Sequence, residues 1–532
     1  MSQKPSSNNT VNSALRSNWN PASRLFWLGG EHISVALIAL LSLLLSLSII
    51  MFDPVINRDG PLYLFTAETY LEQGFTAALN IYPWPFFSIL IAGTSQLTGL
   101  PLHIASHIIV SLCFFIGSYA FVRLVGVLGG SKKAQCFALI IILFHPLLAD
   151  YRSSSVRDPG MWAFMLLSLQ ALIRYSQQPA LKYQLGWTVF ITMALLFRVE
   201  AFAIALLAPL SLLATSSQGQ RLRNMLRFVS LPLTVLLVIS GALLLLSPDT
   251  LSGFKLSQDL VRYADILSHL SDTVADKSVI VADQLLLKTA KGDANYAVVA
   301  VFFAIFAVNV IRAITPLYLL AFILHWLSGQ RLRIAQNGNI IIATHIAILA
   351  VYLFLFTTLR QFTLERYSFQ MVLILLLYLP FVLETFWQWH TYRRVIRVFI
   401  VLILSAYTLD TVINSDYKKA YIDDAAQWLH DNPEGGNRLL SNHTHLAYFG
   451  RQDMPGQAGR YHIYDLYPSE KQLTAPWRIN RRYAYHSKKA GVAALRARIN
   501  EGGGHIIKEF SGPDRGRVFI FTGTKSKPRR PR

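Results

Sequence analysis

Four short stretches join acidic and basic side chains in a way that could do chemistry. Arg58-Asp59-Gly60 follows a first apolar run directly, and Arg157-Asp158-Pro159 opens a later one. Phe197-Arg198-Val199-Glu200 falls where two short apolar runs meet, and Glu365-Arg366-Tyr367 stands at the mouth of another. A carboxylate at a membrane surface, opening a helix-like segment, can take a proton from an incoming hydroxyl. A planar guanidinium is suited to a phosphate. Asp59 and Asp158 are therefore candidate active-site acids, and Arg198 and Arg366 candidate phosphate ligands. Plainer roles fit the same residues: Asp59 before Gly-Pro is a turn and helix start, Asp158 before Pro159 is an N-cap, and the Arg198/Glu200 and Glu365/Arg366 groups are interfacial ion pairs or anchors. Two Arg-Asp pairs at the ends of separate spans nonetheless point to a shared pocket, because ionisable groups at membrane depth are costly and face cavities.

The elements that must carry these residues are membrane helices. Of 532 residues, 53% are hydrophobic and only 15% charged, too apolar a balance for a soluble enzyme. The formal charge of +20 is scattered between apolar runs instead of gathered on one face, which argues against a nucleic-acid partner. Ile33–Met51 reads as an uncleaved anchor, and further apolar runs follow at about 103–128, 135–150, 159–175, 185–198, 200–215, 228–246, 296–326, 338–357, 368–386 and 396–412. The sum is about 11 crossings by span length. Short segments at 185–215 and the interrupted run 296–326, with Arg312 and Pro316, also suit a re-entrant pair or a tilted helix. Residues 75–100, broken by Pro83, Pro85, Gly93 and Gly99, read as an interfacial helical segment.

Charge then sets the expected orientation. With Lys4, Arg16 and Arg24 inside, the inner loops hold Lys132 and Lys133, Arg174 and Lys182, Arg221 to Arg227, Arg331 and Arg333, and Arg393 to Arg397, with no Asp or Glu among them. The other face receives Asp53, Asp59, Glu68, Glu72, Asp150, Asp158, Glu200, the Asp-containing 247–295 stretch and Glu365. The chain thus divides into a cytoplasmic segment 1–32, a membrane domain 33–412 with outer loops 52–102 and 247–295, and an extracytoplasmic α/β domain 413–532. That last domain opens with the helical-looking Tyr417–Asn432, turns at 432–436, includes the strand-like Arg517–Thr522 and ends in a basic tail, Lys525–Arg532.

Several chemistries lack their usual signature. There is no GxxxxGK[ST], HExxH, CxxC or GxSxG. His443 and His445 are a weak metal pair, and Cys113 and Cys136, both inside apolar runs, read as buried thiols. Tyr82, Trp84 and Trp162 read as interfacial belt or core.

In order and sidedness, Arg58-Asp59-Gly60 with Tyr63 and Ala67, Tyr82-Pro-Trp-Pro-Phe, Arg157-Asp158, Phe197-Arg198-Val-Glu200 and Glu365-Arg366-Tyr367 resemble the GT-C superfamily of glycosyltransferases, similar to bacterial protein O-mannosyltransferases and the lipid A aminoarabinose transferase. The resemblance implies a polytopic α-helical fold with a small C-terminal α/β domain, a polyprenyl-phosphate-linked sugar donor, and an acceptor hydroxyl on a glycan, lipid or protein. It also implies a cytoplasmic (inner) membrane location. It carries Asp59 over as the base, Asp158 as a second acid, and Arg58, Tyr63, Glu68, Arg157, Arg198, Glu200, Arg366 and Tyr367 as substrate-binding candidates. Many members have Asp-Glu where this chain has Asp59-Gly60, and Glu68 is the nearest substitute. Some relatives use a divalent metal and others none, so the metal stays open. A different class, a secondary transporter or lipid-linked-sugar flippase, predicts charges at the bilayer midplane and repeated broken helices. A polysaccharide polymerase or ligase would use a diphosphate-linked donor.

Overall fold

A computed structural model describes residues 32–53, 55–246, 270–389, 393–413, 419–432, 438–451, 467–478, 481–513 and 515–523. The basic N-terminal segment, residues 247–269 of the expected outer loop, the turn at 433–436 and the 525–532 tail lie outside them.

Each apolar run named above is helical where described. Backbone amides in hydrocarbon have no water to bond, so the chain satisfies them within helices. Among the described residues five helices are long and apolar enough to cross a bilayer: Val35–Phe52, Leu102–Val127, Lys288–Ile314, Gln336–Arg360 and Glu365–Gln388. A sixth is gained if Lys132–Phe144 and Pro146–Arg152, bent by 52°, form one span. The bend follows from Pro146, which has no N–H to continue the helix. The long 296–326 run also breaks, at Thr315, whose φ of 76° precedes Pro316. Residues 75–100 form two short helices, Phe75–Ile81 and Phe86–Thr98.

The first helix, α1 (Val35–Phe52), is apolar all round but buries only Ile38, Ser42, Ser46 and Ile49, one stripe at helical spacing. Against that stripe lies the fully buried guanidinium of Arg152, which donates to Ser46 Oγ at 2.8 Å and to the Ser42 carbonyl at 3.1 Å and stacks on Phe114. Ser153 next to it donates to Asp53 at 2.9 Å, so the first two acid-bearing loops are tied together. One expectation fails here. Cys113 is buried but Cys136 is exposed, because an apolar membrane helix also presents an apolar outer face.

The C-terminal portion is a mixed sheet in the order β1-β2-β4-β3, from Arg438–Ser441, Arg481–Ser487, Arg517–Gly523 and Gly504–Ser511 for β1, β2, β4 and β3. β1 and β2 run parallel and the other pairs antiparallel. Strand residues alternate between faces. On β4, Val518 and Ile520 pack beneath the Ala420–Asp431 helix, while Phe519 and Phe521 pack on the other side with Ile499, Tyr483 and Tyr485. Both faces of β4 are covered, which explains its unbroken apolar run. The first of these cores also takes in Val55, a residue of the loop after α1.

Candidate active site

The loop 55–59 leads into a second helix, α2 (Gly60–Gln73), started by Pro61 in its first turn. The Gly60 amide closes a turn on the Asn57 carbonyl at 3.0 Å. A β-carbon at position 60 would meet Ile56 Cγ1 at 2.7 Å. That contact is a physical reason for glycine where the resemblance leads one to look for glutamate. Asp59 holds the N-cap position, yet its side chain caps nothing. Instead Arg366 Nη1 donates to Asp59 Oδ2 at 2.6 Å across 307 positions of sequence. Among the described residues Asp59 Oδ1 has no hydrogen-bond partner, and the carboxylate is 35% exposed, so one oxygen remains open to an incoming donor.

Asp158 likewise begins a helix, Asp158–Gln177, without capping it. Its partner is Arg198, which donates from Nη1 to Asp158 and from Nη2 to Glu200. Arg198 and Asp158 are buried and Glu200 is 12% exposed, and a single planar fork serves both carboxylates. Arg198 is held by its neighbours on the chain. The helix Leu181–Phe197 ends just before it, and Trp84 Nε1 donates to the terminal carbonyls of Leu196 at 2.7 Å and Leu195 at 3.1 Å, which satisfies groups a helix end leaves open.

Phe197 is fixed by Phe86 and Phe164, with ring centroids at 5.3 and 5.9 Å, and it lies flat on Gly160. A β-carbon at 160 would stand 2.3 Å from the Phe197 ring. Gly160→Ala is therefore expected to force that ring and the adjoining Arg198 fork to move, costing about 1–3 kcal/mol and lowering turnover. Gly186→Ala, where the nearest atom is at 3.6 Å, serves as the control and keeps both properties. Thermal unfolding and turnover of the two variants check this.

Arg157 takes a different partner. Its guanidinium lies 5.3 Å over the Tyr82 ring, and Tyr82 meets Tyr63 edge-on at 5.5 Å. Among the described residues no carboxylate is within ion-pairing distance of Arg157. Burial pushes the Tyr63 hydroxyl far above the usual phenol range, so it acts as a hydrogen-bonding group, not as a base. Tyr367 sits between two cations: Arg198 and Arg366 each lie 5.1 Å from its ring centroid. Asp158, Arg198, Glu200, Arg366, Tyr367 and Gln370 are among the residues around a pocket of about 270 Å³. Two polar atoms of its wall, Glu200 Oε2 and Arg366 Nε, are buried without a hydrogen-bond partner among the described residues.

Asp59, Tyr63, Arg157, Asp158, Arg198, Glu200, Arg366 and Tyr367 thus form one connected cluster. Glu68 and Arg58 do not join it. Glu68 is bonded to Arg451, and Arg58 is exposed while its carbonyl accepts from Tyr467 at 2.8 Å. Sequence reasoning treated Tyr82 and Trp162 as belt or core and overlooked Gln370, Arg451 and Tyr467. Only Tyr82, inside Tyr-Pro-Trp-Pro-Phe, carried a usable signal. Among the described residues no three His, Cys, Asp or Glu side chains converge as a metal-binding group. The acids of the cluster are matched to arginines instead, and His445 is bonded to Asp423 and to a backbone amide.

The sequence matches no family model and no curated protein. Solved structures do match. The crystal structure of ArnT from Cupriavidus metallidurans bound to undecaprenyl phosphate aligns with a TM-score of 0.51 at 12% identity, covering 93% of this chain and 99% of that one. The chain has the fold of ArnT. The archaeal oligosaccharyltransferase AglB from Archaeoglobus fulgidus, in complex with an inhibitory peptide and a dolichol-phosphate, aligns with a TM-score of 0.50 at 12% identity, over 93% of this chain and 75% of that one. The expected architecture of multiple apolar helices with a small C-terminal sheet is present, in a fold like that of ArnT.

Proposed function

We propose that this chain is an inverting membrane glycosyltransferase that moves a sugar from a polyprenyl-phosphate carrier to an acceptor hydroxyl at the outer face of the cytoplasmic membrane. The observation that carries this reading is the convergence of two carboxylates and two arginines, Asp158, Glu200, Arg198 and Arg366, on one pocket, with Asp59 paired to Arg366 beside it and one Asp59 oxygen open among the described residues. The two matched structures hold lipid phosphates, undecaprenyl phosphate and dolichol-phosphate, which supports the donor class.

In this mechanism the acceptor oxygen attacks the anomeric carbon and its proton passes to Asp59. The bond from that carbon to the phosphate oxygen breaks, and its electron pair leaves with polyprenyl phosphate. The growing charge on the phosphate needs a cation without a competing counter-ion. Among the described residues Arg198 is ion-paired to two carboxylates and Arg366 to one, whereas Arg157 is paired to none, so we assign the phosphate to Arg157 with help from Arg366. Asp158 orients Arg198 and with it the pocket wall.

The test is incubation of the purified full chain with a labelled polyprenyl-phosphate sugar pool. Label in a new glycosidic bond, with released polyprenyl phosphate, is the expected result. Movement of the lipid without bond formation would reject the reading and favour a flippase. Within it, Arg157→Gln is expected to raise the donor KM roughly 10- to 100-fold, the worth of a charge-assisted hydrogen bond. An unchanged donor KM would move the phosphate elsewhere.

A further inference from the structure

The C-terminal domain touches the membrane portion at the loop that carries Asp59. Four contacts converge there. The Ile56 amide donates to His445 Nδ1 at 3.1 Å, and His445 Nε2 faces Asp423 Oδ1 at 3.0 Å. Nδ1 must be bare to accept, so Nε2 carries the proton and donates to Asp423. Tyr467 donates to the Arg58 carbonyl at 2.8 Å. Arg451 Nη2 donates to both oxygens of Glu68 at 2.5 and 2.6 Å, with its guanidinium 4.3 Å over the Tyr448 ring. Val55 is buried in the core of the domain itself.

Residues 55–59 have no helix or strand of their own. From the membrane side they are held through Ile56 and by the Asp59–Arg366 pair. We infer that the C-terminal domain is the other jaw of this clamp, and that Arg451 and His445 are positioning residues that set Asp59 through Glu68 and Ile56. The inference rests on Asp59 being the base. It gives Glu68 a role as a tether, not as a second active-site carboxylate, and it explains why an enzyme of lipid substrates keeps a C-terminal domain against the loop that carries its base. A base misplaced by even about 1 Å loses on the order of a hundredfold in rate, so the clamp acts on turnover and not on donor affinity.

The test uses the full chain in lipid nanodiscs, with hydrogen exchange of residues 55–60 as the primary readout and kcat and donor KM as the second. Arg451→Ala and Glu68→Gln are each expected to speed exchange in that segment and lower kcat tenfold or more at unchanged donor KM, and the double variant to add nothing to either. Arg451→Lys should recover part of the loss. His445→Phe, which removes the acceptor of the Ile56 amide, should speed exchange at Ile56 and carries the test if Arg451→Ala does not fold. Exchange that is unchanged at 55–60, or effects of Arg451→Ala and Glu68→Gln that simply add, would overturn the inference. Faster local exchange in a protein whose native form transfers no sugar would uphold the clamp and reject the transferase reading alone.

Discussion

Asp59→Asn is expected to lower kcat by about 10²- to 10⁴-fold, the usual contribution of a positioned general base, while donor binding persists. Asp59 uses Oδ2 for Arg366 and leaves Oδ1 without a partner among the described residues. An amide at this position can still accept from Arg366, so the loop keeps its tie. What it cannot do is take up a proton. Because the pair is partly exposed, at 19% and 35%, its loss as an ion pair costs little stability in itself. Removing the negative charge also frees Arg366 from a competitor for phosphate, so the donor KM should stay level or fall. If Asp59 were only an anchor for Arg366, the retained bond would leave kcat near normal. Steady-state kinetics with donor varied at saturating acceptor separates the two.

The helices and the residues of the cluster were legible in the sequence for a simple reason. In a bilayer every amide must be bonded within the segment, so apolar runs become helices, and acids among them stand out because burial there is costly. β4 was legible because both its faces are covered. The pairing of charges was not. Arg58-Asp59 and Arg157-Asp158 look like pairs in sequence, but adjacent side chains at a helix start diverge by about 100°. Each acid turns to a distant arginine, Asp59 to Arg366 and Asp158 to Arg198. The bond between Glu68 and Arg451 spans 383 positions, with nothing local in either segment to announce it. Capping, the plainer reading for both aspartates, was equally consistent with Asp-Gly-Pro and Asp-Pro until the side chains were placed.

The second large effect concerns Arg198, and its expected form differs from that of a phosphate ligand. The guanidinium is buried between two carboxylates, the buried Asp158 and the mostly buried Glu200, and it is the ion-pair partner of both. Arg198→Met leaves two acids facing each other in a site with little water. Breaking a buried pair by removing one member typically costs about 3–5 kcal/mol, a sizeable part of what holds a fold together. The variant should therefore unfold at markedly lower temperature, with activity lost along with the fold. Arg198→Lys should be intermediate, since a single ammonium on a flexible stem lacks the planar fork that reaches both acids. The decisive comparison is Arg198→Met combined with Asp158→Asn and Glu200→Gln. With no buried charge left to compensate, stability should return toward that of the native chain while turnover stays low. A single Arg198→Met variant that melts normally and differs only in donor KM would show that the arginine serves the substrate first, and that the two carboxylates tolerate each other without it.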